Sequence, residues 1–202
     1  NQFLTELRDN QTQQDRMRFR KNLERLGELL AYEVSKTLTY HPKEVQTPLG
    51  TAQMELPTDQ VVLVAVLRAA LPFYQGFLNL FDQAESGFIG AFRQEDGEKI
   101  GVNLGYHASP NLDNKVLILV DPMLATGTSC VTALKTLLEH GTPKAIHIVA
   151  AFAAPEGVEY LSRHLNISYS LWLGTLDEKL NSKSYIVPGL GDAGDLAFGS
   201  KL

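Results

Sequence analysis

The sequence has little cysteine, no long apolar run and no excess of basic residues. Its 202 residues include one cysteine, Cys130, so an internal disulfide and a thiolate zinc site are both excluded. No stretch of about 18 apolar residues occurs, so no transmembrane helix is expected. The formal net charge of −5 lacks the basic balance typical of proteins that coat nucleic acid.

A secretory signal is also missing, because residues 1–20 are polar and contain no apolar segment of the required length. With the single cysteine, this predicts a cytoplasmic protein that binds neither membrane nor nucleic acid. The acidity does not exclude an anionic small molecule, since a few arginines and backbone amides can bind one. The 44% apolar and 20% charged residues are typical of globular proteins, and the length predicts one domain over residues 1–202.

Patterns of buried strands and amphipathic helices alternate along the chain. Continuous apolar runs predict strands at 61–66, 116–120, 146–152 and 167–173. Helices are predicted at 13–37, 69–81, 128–140 and 155–164. Shorter strands are expected at 45–50, 51–56, 87–92 and 100–106, with an irregular, glycine-rich tail from 174 to 202. This alternation predicts an α/β fold with a doubly wound, mainly parallel sheet.

The most informative segment is DPMLATGTS at residues 121–129, which follows a predicted strand and opens a helix. Ligands bind at that edge of an open α/β sheet. Small residues let backbone N–H groups approach an anion at the helix N-terminus, which predicts a phosphate site without the lysine of a Walker A loop. Asp121 would repel phosphate and is expected to face ribose hydroxyls. Alternatively, Asp-Pro simply ends a strand and Thr126 simply caps a helix.

Two arginines are candidates for anion contacts. Arg68 follows the strand predicted at 61–66, so it is expected at the same sheet edge, where its forked guanidinium would suit a pyrophosphate. An Arg68 that pairs with a neighbouring surface acid is an equally good interpretation. Arg93 follows the strand predicted at 87–92, and its position alone favours a solvated loop arginine.

The tail contains GLGDAG at residues 189–194, which formally matches GxGxxG. A dinucleotide site is not predicted, because a preceding strand, a following helix and a later acid are missing from the pattern. A rigid Pro/Gly loop can instead pair its backbone amides and carbonyls with the edges of a planar base. Asp192 and Asp195 are also compatible with ordinary turns.

Motifs over nearly the whole chain resemble those of the type I phosphoribosyltransferase family, and in particular its uracil branch. They occur in the family's order as RFR, LLAYE, TPLG, LRA, DPMLATGTS, AAPEG and YIVPGLGDAGD. The single acid before the loop, Asp121 after Val120, fits the uracil branch, whereas most type I members carry two adjacent acids.

The resemblance implies transfer of a phosphoribosyl group from 5-phosphoribosyl 1-pyrophosphate to uracil, giving UMP and pyrophosphate. It implies catalytic roles for Arg68, Asp121 and Asp192. The implied donor-binding residues are Arg68, Arg93, Asp121, Pro122, Met123, Leu124, Ala125, Thr126, Gly127, Thr128, Ser129 and Asp192. The implied uracil-binding residues are Tyr185, Ile186, Gly191, Asp192 and Ala193. Mg²⁺ is expected to arrive with the donor, near Asp192, without a direct protein site.

The family further implies a flexible β-arm that carries Arg93, a C-terminal base-binding hood, homodimers or homotetramers, and in some members a GTP effector. The chain departs from the family pattern at Ala70, Ala108, Thr128 and Leu196. Thr128 would be strained if its position required a positive φ. Two alternatives remain open: a pyrimidine-nucleotide sensor on the same fold, and a phosphoribosyltransferase for another nucleobase.

Overall fold

The structure is a computed structural model that describes residues 1–96 and 99–200, with the backbone alone at 91–96 and 99–104. The helices are α1 (Gln2–Arg8), α2 (Arg16–Ser35), α3 (Leu71–Leu80), α4 (Thr128–Leu137), α5 (Pro155–His164) and α6 (Ala193–Phe198). The strands are β1 (Tyr40–Thr47), β2 (Gly50–Pro57), β3 (Val61–Leu67), β4 (Glu85–Asp96), β5 (Lys99–Ala108), β6 (Val116–Val120), β7 (Met123–Leu124), β8 (Ala145–Ala153), β9 (Ser170–Leu176), β10 (Lys179–Leu180) and β11 (Ile186–Val187).

A seven-stranded sheet forms the centre of the fold. Strand β3 pairs in parallel with β4 on one side and with β6 on the other. Strand β8 pairs in parallel with β6, β7 and β9, whereas β5 pairs antiparallel with β4. The predicted α/β fold with a mainly parallel sheet is therefore confirmed.

Both faces of the sheet are covered by helices. Side chains alternate between faces along a strand, and β3 is apolar on both. Val61, Leu63 and Ala65 belong to the core cluster that includes residues of α2 and α3. Val62, Val64 and Val66 belong to the cluster that includes residues of α4 and α5. Two cores on opposite faces explain why β3 has a continuous apolar sequence and no polar alternation.

Several predicted boundaries and one predicted region are wrong. Helix α2 begins at Arg16, because Asp15 caps it by accepting a hydrogen bond from the Arg18 amide at 3.1 Å. Strand β9 begins at Ser170, three residues later than predicted. The tail predicted to be irregular contains β10, β11 and α6; these elements are short, so periodicity is too brief to reveal them.

The two strands expected at 45–50 and 51–56 form a hairpin, in which β1 begins five residues earlier and ends three residues earlier than predicted. Strands β1 and β2 pair antiparallel from Tyr40 opposite Pro57 to Thr47 opposite Gly50. Within the part of the chain that the structure describes, no helix combines the length and apolar character needed to cross a membrane.

Helices α2 and α3 approach each other at a pair of glycines. A Cβ on Gly76 would lie 2.8 Å from the Cα of Gly27 and would overlap the carbonyl oxygen of Glu24. A Cβ on Gly27 would likewise overlap the carbonyl oxygen of Phe73. The overlapping atoms belong to the backbone, so a change of side-chain rotamer cannot relieve the overlap.

We expect Gly76→Ala to lower the free energy of unfolding by about 3 kcal/mol, because the added methyl must push two helix backbones apart. Urea unfolding followed by circular dichroism measures this. Gly50→Ala is the control, since nothing lies within 4 Å of a Cβ at Gly50. Equal stability of the two variants would contradict this account of the helix packing.

Candidate active site

The candidate site lies where β3 and β6 end. Arg68 follows β3 directly, and Asp121 follows β6 directly. The two strands are parallel neighbours, with Ala65 opposite Val120, so both charged residues lie at the carboxyl edge of the sheet. Hydrophobic strand interiors therefore place the polar chemistry at one edge, as the sequence predicted for both residues.

A cavity of about 210 Å³ opens at this edge. Nine predicted site residues line it: Arg68, Asp121, Met123, Ala125, Tyr185, Ile186, Gly191, Asp192 and Ala193. Five further residues were not predicted: Val66, Leu67, Ala69, Ser184 and Gly194. Among the described lining residues, Arg68 is the only cation. The cavity thus joins segments that are more than a hundred residues apart in the sequence.

A second, smaller cavity of about 40 Å³ lies beside the first and is lined by the start of α4 and the loop before it. Its lining residues are Asp121, Met123, Leu124, Ala125, Thr126, Gly127, Ser129 and Cys130. Asp121, Met123 and Ala125 line both cavities. The two spaces are therefore adjacent, with Asp121 between them.

The first part of the 121–129 segment is tied to the sheet. The amide of Asp121 donates to the carbonyl of Val149, and Met123 and Leu124 form β7 against β8. Pro122 is buried and lines neither cavity; its carbonyl accepts a hydrogen bond from the Phe152 amide at 2.9 Å. Residues 121–124 are therefore fixed to the sheet directly before the turn into α4.

The turn into α4 depends on Gly127, whose φ is +79°. A Cβ there would also lie 2.8 Å from the carbonyl oxygen of Gly157. Gly127, and not Thr126 as predicted, is the N-cap residue, although the Thr126 hydroxyl accepts a hydrogen bond from the Thr128 amide at 3.4 Å. Thr128 begins the helix and so carries no positive-φ strain, and it lines neither cavity.

Asp121 is the electrostatically unusual residue of the site. Burial raises the pKa of its carboxyl to about 6, although the Met123 amide, which donates to Oδ1 at 3.1 Å, acts in the opposite direction. Cys130 lies close by and is buried, as predicted. Burial and the nearby Asp121 charge raise the pKa of its thiol far above neutrality, so this cysteine is not a nucleophile.

Arg68 is held by the C-terminal helix. Its Nη2 donates to Oδ1 of Asp195 at 2.8 Å and to the carbonyl oxygen of Gly199 at 2.7 Å. Asp192 caps the same helix, since its Oδ1 accepts a hydrogen bond from the Asp195 amide at 2.9 Å. The sequence identified Arg68, Asp192 and Asp195 separately; their connection becomes visible only in the fold.

Two other arginines hold the C-terminal segment and were not predicted. Arg8 forms a two-pronged ion pair with the buried Asp177 and donates to the carbonyl of Gly189 at 2.9 Å. Burial alone would raise the pKa of Asp177, but hydrogen bonds from Arg8 and the Gly189 amide lower it below its ordinary value. Arg20 donates to the carbonyl of Ala197 at 2.8 Å. These contacts span about 170 residues of sequence, so no local pattern could reveal them.

Arg93 falls on β4, where its side chain lies outside the described residues. Over residues 1–96 and 99–200, no group of three or more His, Cys, Asp or Glu side chains is arranged to hold a metal ion. The charged groups described around the larger cavity are Arg68, Asp121 and Asp192, with Asp195 behind Arg68.

Comparison with known proteins identifies the family. The family profile described as "Uracil phosphoribosyltransferase" matches residues 1–200. The chain is 48% identical over 203 residues to the uracil phosphoribosyltransferase of Porphyromonas gingivalis, covering 100% of this chain and 94% of that one. It is 42% identical over 183 residues to the uracil phosphoribosyltransferase of Methanothermobacter thermautotrophicus, covering 90% and 83%.

The chain belongs to the uracil phosphoribosyltransferase family. Among solved structures, the AQ2163 protein of Aquifex aeolicus is similar, with a TM-score of 0.88, 35% identity, and coverage of 100% of this chain and 96% of that one. A hypoxanthine phosphoribosyltransferase of Staphylococcus aureus has a TM-score of 0.54 at 15% identity, covering 81% and 75%. This second likeness shows the type I phosphoribosyltransferase fold alone.

The raised pKa of Asp121 makes stability depend on pH in a defined direction. A carboxyl whose pKa is higher in the folded state stabilises the fold below pH 4, and that contribution is lost as pH rises through 6. Asn does not titrate, so Asp121→Asn lacks this loss. We therefore expect the unfolding free energy of Asp121→Asn minus that of wild type to increase by about 1 to 3 kcal/mol from pH 4 to pH 7.

Urea unfolding of both proteins at several pH values measures this difference. Asp113→Asn is a control, because hydrogen bonds from the Thr142 amide and the Asn111 side chain lower the pKa of Asp113. The unfolding free energy of Asp113→Asn minus that of wild type should therefore not increase from pH 4 to pH 7. A difference for Asp121→Asn that stays constant from pH 4 to pH 7 would contradict the assignment.

Proposed function

We propose that this protein transfers the phosphoribosyl group of 5-phosphoribosyl 1-pyrophosphate to N1 of uracil, with UMP and pyrophosphate as products. Membership of the uracil phosphoribosyltransferase family supports this activity. The structural observation that carries it is the adjacency of the two cavities, which share Asp121, Met123 and Ala125. A donor with phosphate at one end and a sugar in the middle needs such a continuous pair of spaces.

The smaller cavity is the proposed 5′-phosphate site. Backbone N–H groups at residues 125–129 precede or begin α4, where the helix dipole favours an anion. The hydroxyls of Thr126 and Ser129 supply further donors. No lysine is required, because the positive potential comes from the backbone.

Asp121 lies between the cavities and is proposed to bind the ribose hydroxyls. Once ionised, its carboxylate also stabilises the positive charge that develops on the sugar as the bond to pyrophosphate breaks. A carboxyl with a pKa of about 6 is mostly ionised at neutral pH. Close to a cationic sugar, its ionised form would be favoured further.

Arg68 is proposed to bind the pyrophosphate end of the donor, because it is the only cation among the described residues that line the larger cavity. Arg93 is proposed to approach the same group from β4. A magnesium ion carried by the donor would supply further positive charge there. The residues present fit such an ion. The described residues contain no cluster of three protein ligands, so oxygens of the bound pyrophosphate group and water would supply most of its coordination. Asp192 is the carboxylate that would lie near it.

The C-terminal residues that line the larger cavity are the proposed uracil site. Ile186 and Ala193 are buried, and Tyr185 lines the cavity with an exposed side chain. Gly191 has a φ of +99° and open space where a Cβ would lie, so its backbone can approach a flat ring closely. Backbone donors and acceptors would discriminate between bases by their edges, since a wrong base leaves buried polar groups unpaired.

Other features implied by the family remain predictions for this chain. We propose that residues 1–202 act as one domain in the cytoplasm, as a homodimer or homotetramer. A GTP effector is also a prediction.

We expect purified protein to form UMP from uracil and the donor in the presence of Mg²⁺, and to leave hypoxanthine, adenine and cytosine unchanged. Chromatographic separation of nucleotides measures the products. Turnover of another base in place of uracil would assign a different substrate. Tight binding of UMP by folded protein without any turnover would support the nucleotide-sensor alternative and overturn the proposed activity.

We expect Arg68→Ala and Asp192→Asn each to lower kcat/KM by about 100-fold or more, because each removes charge that faces the donor. Asn caps helices as well as Asp does, so Asp192→Asn should retain α6 and the wild-type unfolding temperature. Glu178→Gln, in the same C-terminal segment but outside both cavities, is the control. Wild-type rates in both site variants would show that the donor binds elsewhere.

A further inference from the structure

We propose that Asp195 is a positioning residue that holds the Arg68 guanidinium for the pyrophosphate end of the donor. The inference rests on the proposed function and adds a residue that lines neither cavity. Asp195 lies behind Arg68 and contacts it through an ion pair of 2.8 Å. It therefore acts on the donor only through the arginine.

The geometry of Arg68 shows why a partner is needed. Both of its hydrogen bonds to described residues leave from Nη2, one to Asp195 and one to the carbonyl oxygen of Gly199. Its Nε is buried, with no hydrogen-bond partner in the described part of the chain. A buried donor without a partner is unfavourable, so the Nη2 contacts must maintain this position of the side chain.

Asp195 is itself held in place by the residue that caps its helix. Its amide donates to Oδ1 of Asp192 at 2.9 Å, in the first turn of α6. Asp192 lines the larger cavity together with Arg68. The start of α6 therefore places the Asp192 carboxylate at the cavity and the Asp195 carboxylate against Arg68. Both charged groups that face the donor, Arg68 and Asp192, are thus held by the same helix.

The exposure of the Arg68–Asp195 pair indicates that Asp195 acts by fixing the position of Arg68 more than by neutralising its charge. The Arg68 and Asp195 side chains are each 37% exposed, and at that exposure water screens much of their attraction. The value of the pair is then mainly geometric: it restricts a long, flexible side chain that would lose rotamer entropy when it binds the donor. A hydrogen-bond acceptor of the same shape should replace most of that effect.

Steady-state kinetics with uracil and the donor test the proposal. We expect Asp195→Ala to raise the KM for the donor about tenfold, with the KM for uracil changed less than twofold. Asp195→Asn should restore the donor KM to within about threefold of wild type, because its carboxamide oxygen still accepts from Nη2. Glu85→Ala is the matched control, since it removes a carboxylate from a 2.7 Å ion pair with Lys115, outside both cavities.

A double-mutant cycle distinguishes positioning from general damage. If Asp195 acts through Arg68, adding Asp195→Ala to an Arg68→Ala protein should cause little further change in the donor KM. Calorimetric titration with inorganic pyrophosphate in the presence of Mg²⁺ gives a second readout that needs no turnover, and we expect about tenfold weaker binding by Asp195→Ala.

The outcomes separate the two proposals. Absence of uracil turnover by wild type, with pyrophosphate binding that still depends on Asp195, would overturn the proposed function and support the role of Asp195. Turnover by wild type, with donor KM and pyrophosphate affinity unchanged or improved in Asp195→Ala, would overturn the role of Asp195. If Asp195→Ala fails to fold, Asp195→Leu and Asp195→Asn provide the same comparison, and equal donor KM values for these two would overturn it.

Discussion

Strand β3 pairs in parallel with both β4 and β6, and the candidate site depends on that arrangement. Parallel neighbours end at the same edge, so the residues that follow β3 and β6 must meet there. Apolar side chains on both faces keep β3 and β6 in the interior, which leaves their ends as the first positions where charge reaches solvent. Arg68 and Asp121 occupy these two positions.

An acidic chain can still contain an anion site, because the groups within a few ångströms of the anion determine its binding more than the net charge of the protein does. The net charge of −5 is spread over the whole surface, and at physiological salt such charges are screened beyond about 8 Å. The candidate phosphate site instead uses backbone N–H groups at the start of α4. Of the acids at the edge, Asp121 lies at the junction between the two cavities, and Asp195 is paired with Arg68.

The C-terminal segment forms one wall of the larger cavity, yet its elements are too short to be stable alone. Helix α6 has six residues, and β10 and β11 have two each. Arginines from three distant parts of the chain hold this segment: Arg8 at the end of α1, Arg20 on α2, and Arg68 directly after β3. Each donates to a backbone carbonyl of the C-terminal segment: Arg8 to Gly189, beside the proposed uracil site, and Arg20 and Arg68 to Ala197 and Gly199 at the end of α6. The precision of a base-recognition loop thus depends on residues remote from it in sequence.

The amino-acid sequence by itself determined the parallel sheet, its covering helices and the edge that carries the site. Hydrophobic periodicity is a local signal, and it was sufficient to predict β3, β6 and β8, while the small residues at 125–129 indicated the loop that leads into α4. Motif order was sufficient to identify the family. Only the tertiary structure decided that Gly127 caps α4, that short elements order the tail, and that Asp195 holds Arg68. Those features depend on contacts between residues 30 to 181 positions apart, and such contacts leave no periodic pattern in the sequence because each is a single pair.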